Sequence, residues 1–413
     1  MQQPPREDFS NNFARIKVIG VGGAGGNAVN RMIDAGVDGI EFVAVNTDGQ
    51  ALLTSRAPLA VRIGDKLTKG LGAGGRPEVG LRAAEESADG INEIVKNADM
   101  IFITAGMGGG TGTGASPVIA RIAKTAGALT VGVVSRPFDF EGNRRSRAAD
   151  EGINNLRDNV DALITIPNER LMTVVDPKTS IEEAFQIADE VLHQGIAGIS
   201  DLITKPGMIN LDFADVRTIM RDAGSALMSI GYGQGENRTI DAAKQAIESP
   251  LLETSIQGAT GVLYSVSGSR SLSLIETSEA AEIIRAAVDE DAEIIYGTSI
   301  DESLGDTVKI TLIATGFDDH ESYSTYSGGR RPRLGAQPRG PEQVYRLNDR
   351  REQREAPRER QPERERERER PTDREPRRRE ASQPPARSST PQPILPDDDW
   401  EGESSIIRFL RER

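Results

Sequence analysis

Short apolar runs separated by amphipathic stretches dominate the first part of the chain. Ile16–Ile19, Phe42–Val45, Ile101–Thr104, Thr130–Val134 and Ala162–Ile166 read as strands, each followed by a segment of helical period. That alternation predicts a parallel, Rossmann-like α/β sheet over residues 14–178. A long helix is predicted over 179–206. Ser180 and Glu183 have the spacing of a capping box, Ile181, Ala184, Phe185, Ala188, Val191, Leu192, Ile199, Leu202 and Ile203 supply an apolar stripe, and Pro206-Gly207 ends it. A helix apolar along so much of its length belongs between two domains.

Leu211–Met220 leads into a second, α+β domain over 207–318. Its strands fall near Ala226–Tyr232, Gly261–Ser267, Ile294–Ile300 and Thr307–Ala314, and its helices near Ile240–Ile247 and Glu279–Val288. From about His320 the pattern dissolves. Residues 319–394 are rich in Arg, Glu and Pro and too poor in apolar groups to offset chain entropy, so a disordered linker is expected there. Residues 395–413 turn apolar again, with Trp400 and Ile406-Ile407-Arg408-Phe409-Leu410, and read as a partner-binding peptide; residues 1–13 read as a flexible polar arm.

Two glycine clusters interrupt the alternation where it matters chemically. Gly20-Val-Gly-Gly-Ala-Gly-Gly26 follows the first strand and fits G-x-G-x-x-G; Gly106-Met-Gly-Gly-Gly-Thr-Gly-Thr-Gly114 lies between Ile101–Thr104 and a helix expected to open at Ala115. Strand, near-Cβ-free turn and helix N-terminus together form a phosphate cradle, because backbone N–H groups can close on the oxygens. In a doubly wound sheet of order 3-2-1-4-5-6, turns after strands 1 and 4 face one crevice. The first cluster alone would suit a dinucleotide oxidoreductase. The next strand ends in Asn46-Thr47-Asp48 rather than directly in a ribose-binding acid, and the second cluster would be left unused.

Charge narrows the partners. Residues 330–413 hold 22 Arg and 18 Asp or Glu of the chain's 50 Lys and Arg and 64 Asp and Glu, which leaves 28 basic and 46 acidic residues in 1–329. A body so acidic is expected to repel nucleic acid. With no cysteine and only His193 and His320, thiolate or histidine metal centres and a Ser-His-Asp triad are excluded by composition. No apolar run approaches the length of a membrane span and no signal segment is seen, so a cytoplasmic protein is expected.

No G-x-x-x-x-G-K-[ST] occurs, so a lysine-bearing P-loop is absent. Arg145 in the segment Arg136–Arg145 could reach a phosphate and Glu141 could accept from ribose hydroxyls. Asp212 and Asp215, three apart at a predicted helix start, read either as a helix cap or as chemistry.

Taken together, Gly108-Gly-Gly-Thr-Gly-Thr-Gly114, Gly22-Gly23 with Asn27, Arg136-Pro-Phe with Glu141-Gly142, and Asn210-Leu-Asp-Phe-Ala-Asp215 closely resemble the FtsZ family of bacterial cell-division GTPases, within the tubulin superfamily, over roughly residues 14–317. The resemblance implies a GTP-binding domain, a central helix, a second α+β domain and head-to-tail filaments. It implies nucleotide contacts from Gly23, Ala24, Asn27, Gly106, Gly109, Gly110, Thr111, Gly112, Ser135, Glu141, Arg145, Asn168 and Asp189, with Phe185 on the base. Asp212 and Asp215 would reach the γ-phosphate from the neighbouring subunit. GTP and GDP are the implied ligands, with Mg2+ held by phosphates and water, and no protein metal site is expected. The implied partners are the chain itself and membrane-tethering division adaptors through residues 397–413, at the mid-cell division site. Ser405-Ile-Ile-Arg-Phe-Leu-Arg411 lacks the Asp and Pro usual at the family's end, and Ala24 stands where some members carry Gly. A filament for plasmid segregation or cell shape, or a non-hydrolysing structural member, would share much of this chemistry.

Overall fold

The computed structural model describes residues 14–317 other than 174, 177, 205, 206, 210, 251, 253 and 254. The expected arm 1–13, linker 319–394 and terminal peptide 395–413 lie outside the described residues, as do Pro206 and Asn210.

The first part alternates as the sequence predicts. It runs β1 Ile16–Val21, α1 Gly22–Asp34, β2 Ile40–Asn46, α2 Gly49–Leu53, β3 Leu59–Arg62, α3 Asp65–Thr68, α4 Pro77–Glu86, α5 Ala88–Val95, β4 Met100–Gly106, α6 Thr111–Thr125, β5 Leu129–Arg136, α7 Asn143–Arg157, β6 Ala162–Pro167 and α8 Asn168–Leu171. The long helix α9, Ile181–Thr204, and α10, Phe213–Met220, follow. Then come β7 Gly224–Gly233, α11 Arg238–Ile247, β8 Gly261–Gly268, α12 Leu274–Ala287, β9 Glu293–Ile300 and β10 Val308–Thr315.

Among the described residues the strands form one sheet of order β3-β2-β1-β4-β5-β6-β7-β10-β8-β9. From β3 to β6 every pairing is parallel, with Val21 beside Ala105 and Gly106 beside Ser135, so the turns after β1, β4 and β5 line one edge. Strand β7 joins β6 over only three pairs, Ala162–Gly224 to Ile164–Ala226, and β10 is antiparallel to both β7 and β8.

Burial explains the unbroken apolar runs. Along β4, Met100 and Phe102 face one core with α1 and α9, while Ile101, Ile103 and Ala105 face another with α4 to α7, so each side of the strand is covered. A third core joins α11 and α12 to β8 and β10.

Helix α9 is shorter than the expected 179–206 because Ser180 is its cap. The Glu183 amide donates to Ser180 Oγ at 3.2 Å and the Ser180 amide to Glu183 Oε2 at 2.7 Å. Helix α12 starts five residues before the expected Glu279, since Ser273 and Glu276 form another such box. Helix α6 starts at Thr111 rather than Ala115, which makes the last residues of the glycine cluster its first turn.

Candidate functional site

The two glycine turns meet at the carboxyl edge of β1 and β4. Gly22, at φ 75°, starts α1 in a backbone region that disfavours side chains, and a Cβ on it would lie 3.0 Å from the Gly112 nitrogen. A Cβ on Gly112 would lie 2.9 Å from the Gly106 carbonyl oxygen, and one on Gly106 2.7 Å from Ala24 Cβ. These glycines are therefore spacers that let two turns and two helix N-termini pack backbone to backbone. Gly23, Gly26 and Gly109 by contrast have open space where a side chain would stand. The Gly108 amide donates to Thr113 Oγ1 at 2.9 Å, which fixes the turn from within.

A third glycine loop, which the sequence reading did not single out, completes the cradle. Gly70-Leu-Gly-Ala-Gly-Gly75 bridges to the end of β2 through Asp48 and Leu71 and then passes Gly110, where a Cβ would lie 2.8 Å from Ala73 Cβ and 2.9 Å from the Arg76 nitrogen. Its glycine density was the available signal; no apolar strand immediately precedes it, so the strand-turn-helix pattern hides it. Thr47 was also missed. Fully buried, it shares a 2.7 Å hydrogen bond between its hydroxyl and that of Thr111. Asp48 caps α2 by accepting from the Gln50 amide, so the dinucleotide alternative loses its ribose acceptor.

Next along the sheet edge, Ser135 is the last residue but one of β5 and is 5% exposed. Glu141 accepts from the Phe138 amide at 3.0 Å and pairs with Arg145 through its other oxygen. The sequence reading gave these two residues separate ligands; here they hold each other. Asn168 follows β6 directly, is 5% exposed, and its buried Oδ1 has no hydrogen-bond partner. A buried acceptor without a donor is costly, and a ligand donor would relieve it.

Helix α9 brings Phe185 and Asp189 to the same edge. Phe185 meets Phe138 edge-on at 5.4 Å, and Phe140 stacks on Phe138 at 5.1 Å. Asp189 lies 3.5 Å from Arg31 of α1. Its burial pushes the carboxyl up to about 6, with Arg31 opposing the shift.

Asp212 and Asp215 are not brought to the cradle within one chain. They form a reciprocal cap on α10, the Asp215 amide donating to Asp212 Oδ1 and the Asp212 amide to Asp215 Oδ2, both at 3.0 Å. Helix α9 carries the chain away from the cradle over 24 residues, about 36 Å at the usual rise. Thr204 at its end sits against Gly39, at the amino end of β2. The far end of α10 is fastened to the same edge, where Lys124 Nζ donates to Asp222 Oδ1 at 2.8 Å and to the Val160 carbonyl at 3.2 Å. Cradle and acidic pair thus lie toward opposite edges of the sheet.

Among the described residues no three His, Asp or Glu side chains converge on a cation position, and no helix is long and apolar enough to cross a membrane.

Residues 15–176 match the family model described as Tubulin/FtsZ family, GTPase domain, and residues 224–318 match FtsZ family, C-terminal domain. The chain is similar to FtsZ of M. jannaschii, solved as an empty dimer, at 46% identity with a TM-score of 0.72, over 75% of this chain and 90% of that one. It is also similar in fold to two proteins of Haloferax volcanii. CetZ1, as a GDP-bound monomer, is 22% identical with a TM-score of 0.64, over 75% and 96% of the two chains. CetZ2, in a GTPγS-bound protofilament, is 19% identical with a TM-score of 0.64, over 75% and 95%.

Proposed function

Because this chain belongs to the tubulin/FtsZ family and carries its GTPase domain, we propose that it polymerises head to tail, hydrolyses GTP at a site completed by the next subunit, and builds the cytokinetic ring of bacterial cell division. The observation that carries this reading is the separation of the glycine cradle from Asp212 and Asp215. A phosphate cradle at one edge and paired carboxylates toward the other can serve one reaction only across a contact between copies.

Within one subunit the cradle binds and orients. Backbone N–H groups around Gly23, Gly106, Gly109, Gly110, Thr111 and Gly112, at the positive ends of α1 and α6, close on the phosphates, with Ala24 and Asn27 beside them. Asn168 and Ser135 face the sugar and base, Phe185 packs on the base, and Asp189 accepts from N1–H and the 2-amino group of guanine. Adenine offers an acceptor at N1 and is repelled there. Glu141 and Arg145 reach sugar and phosphate by opening or turning their mutual pair.

The side-chain donors present suit a cation carried by the nucleotide. Mg2+ would sit on phosphate oxygens and water and neutralise their charge. Asp212 and Asp215 of the following subunit orient the water. Its oxygen attacks the γ-phosphorus, the bond to the β–γ bridging oxygen breaks, and GDP and phosphate leave. Residues 397–413, outside the described residues, are the proposed ligand for adaptors that hold the ring at the membrane, on its cytoplasmic side at mid-cell.

Light scattering and phosphate release against protein concentration test the reading. With GTP both should rise together above a threshold, and neither GDP nor ATP should support polymer. A specific activity that stays constant on dilution to nanomolar protein would place the whole site in one subunit and refute it.

A further inference from the structure

We propose that Thr298 of β9 is the positioning residue for Asp212: its hydroxyl holds the backbone at Ile209, three residues before the aspartate, on the course that presents Asp212 to the neighbouring subunit's nucleotide. The proposal rests on the reading of Asp212 given above and concerns what aims it.

Hydrogen bonding is the first support. The chain between α9 and α10 meets β9 at one bridge, Ile209 opposite Thr298. In a regular hydrogen-bonded antiparallel pair the two facing residues exchange both backbone bonds. Here the Thr298 amide donates to the Ile209 carbonyl at 3.1 Å, but the Thr298 carbonyl accepts from the Met208 amide at 3.0 Å instead of from Ile209. The Ile209 amide is left to the side chain and donates to Thr298 Oγ1 at 3.2 Å. The last of these bonds depends on the hydroxyl, and without it the Ile209 amide loses its acceptor.

Close packing is the second support. A Cβ on Gly207 would lie 2.3 Å from the Thr298 carbonyl oxygen, and one on Gly297 would lie 2.7 Å from Leu211 Cδ1 and 3.2 Å from the Ile209 carbonyl oxygen. Glycine at both places therefore lets the backbone come down onto β9. Leu211, 4% exposed, fills the place over Gly297 and shares a core with Val216, Ile219 and Met220 of α10. Asp212 follows it directly. The reciprocal cap with Asp215 fixes Asp212 on α10, while Ile209 on Thr298 and Leu211 on Gly297 fix the chain that leads into it.

Function supplies the third. Covering the edge of β9 needs main-chain bonds alone, which Met208 and Ile209 already make. A carboxylate that orients water at another subunit's nucleotide must in addition be held to a fraction of an ångström, and that demand falls on the residues supporting it. Thr298 meets it through the backbone at Ile209 rather than by contact with the nucleotide.

The test compares wild type, Thr298→Val, Thr298→Ser and Gly297→Ala. It measures GTP binding below the polymerisation threshold, the threshold itself by light scattering, phosphate release per polymerised subunit across GTP concentrations, and melting temperature. Thr298→Val keeps the branched shape and removes the acceptor. It should bind GTP and polymerise within about twofold of wild type while kcat per polymerised subunit falls roughly tenfold and KM stays the same. Thr298→Ser, which keeps the hydroxyl, should retain about half of kcat or more. Gly297→Ala pushes on Leu211 from beneath and should slow turnover without weakening GTP binding. That variant decides the matter should Thr298→Val melt too early to assay, and full turnover in it would then overturn the proposal. Full turnover in Thr298→Val, an equal loss in Thr298→Ser, or a loss accounted for by less polymer would overturn it too. Asp212→Asn in the same assay separates the two levels: if it turned over like wild type, the reading of Asp212 itself would fall, and the role of Thr298 with it.

Discussion

Gly22 and Gly112 lie so close that a Cβ on Gly22 would stand 3.0 Å from the Gly112 amide nitrogen. This approach joins the turn after β1 to the turn after β4 and points the N-termini of α1 and α6 into one crevice. Gly22 also holds φ at 75°, so an alanine there meets backbone strain as well as crowding.

Replacing Gly22 and Gly23 should therefore give different results. Gly22→Ala should destabilise by about 1–2 kcal/mol from the left-handed backbone alone and also lose GTP affinity. Gly23→Ala, with open space at its Cβ, should melt like wild type or slightly higher while GTP binding weakens. Calorimetric melting and GTP titration of both variants check this. Equal melting temperatures for the two would contradict the packing role of Gly22.

The aspartates at the start of α10 cap that helix and, on the proposed reading, also serve hydrolysis, and substitution can separate the two. Asp212→Asn keeps a good cap and should melt within a few tenths of a kcal/mol of wild type, whereas Asp212→Ala should lose about 1 kcal/mol. Both should bind GTP normally as monomers and hydrolyse it slowly as polymers. Full turnover in Asp212→Asn would leave the residue as a cap only.

On the proposed reading of the site, Asp189 should make guanine binding depend on pH. Because its carboxyl titrates near 6 in the free protein and only the ionised form accepts two guanine N–H groups, GTP affinity should fall about tenfold between pH 7 and pH 5. Stability runs the other way. A carboxyl raised from 3.8 to about 6 on folding keeps its proton longer in the native state, so its contribution declines as pH rises from about 4 to 6 and is flat above. Asp189→Asn should remove both dependences, as GTP titrations and chemical denaturation across pH 4–8 would reveal.

In the second domain, Arg238 is 8% exposed and donates to Glu276 from Nε at 2.7 Å and to the Ser271 hydroxyl at 3.1 Å. The Arg238 hydrogen bonds hold the Glu276 carboxyl down at about 2, so this pair stabilises fully above pH 4.5 and weakens as pH falls toward 2. Arg238→Met leaves the Glu276 carboxylate with only the Ser273 amide as donor and should cost on the order of 2 kcal/mol at pH 7, with monomeric GTP binding unchanged. Denaturant titration at pH 7 and pH 3 would show the loss shrinking at the lower pH.

Much of this protein was legible in its residues because the signals are local. Apolar runs bounded by glycine give β1, β4 and β5, since a strand covered on both faces needs no polar positions; Ser180 and Glu183 mark the start of α9 through hydrogen bonds spanning three residues. Glycine density marks the turns after β1 and β4 for the same reason, as a turn's conformation is set by its own backbone. What tertiary structure decided depends on residues far apart in the chain. The loop at 70–75 joins the cradle only because Gly110 leaves room for Ala73 and Arg76. Thr47 matters only because folding sets its hydroxyl against Thr111. The mutual pairing of Glu141 and Arg145, and the raised carboxyl of Asp189 beside Arg31, depend on packing and burial. Which glycines are spacers and which leave open space is likewise invisible in the sequence, because the difference lies in what stands opposite the missing side chain.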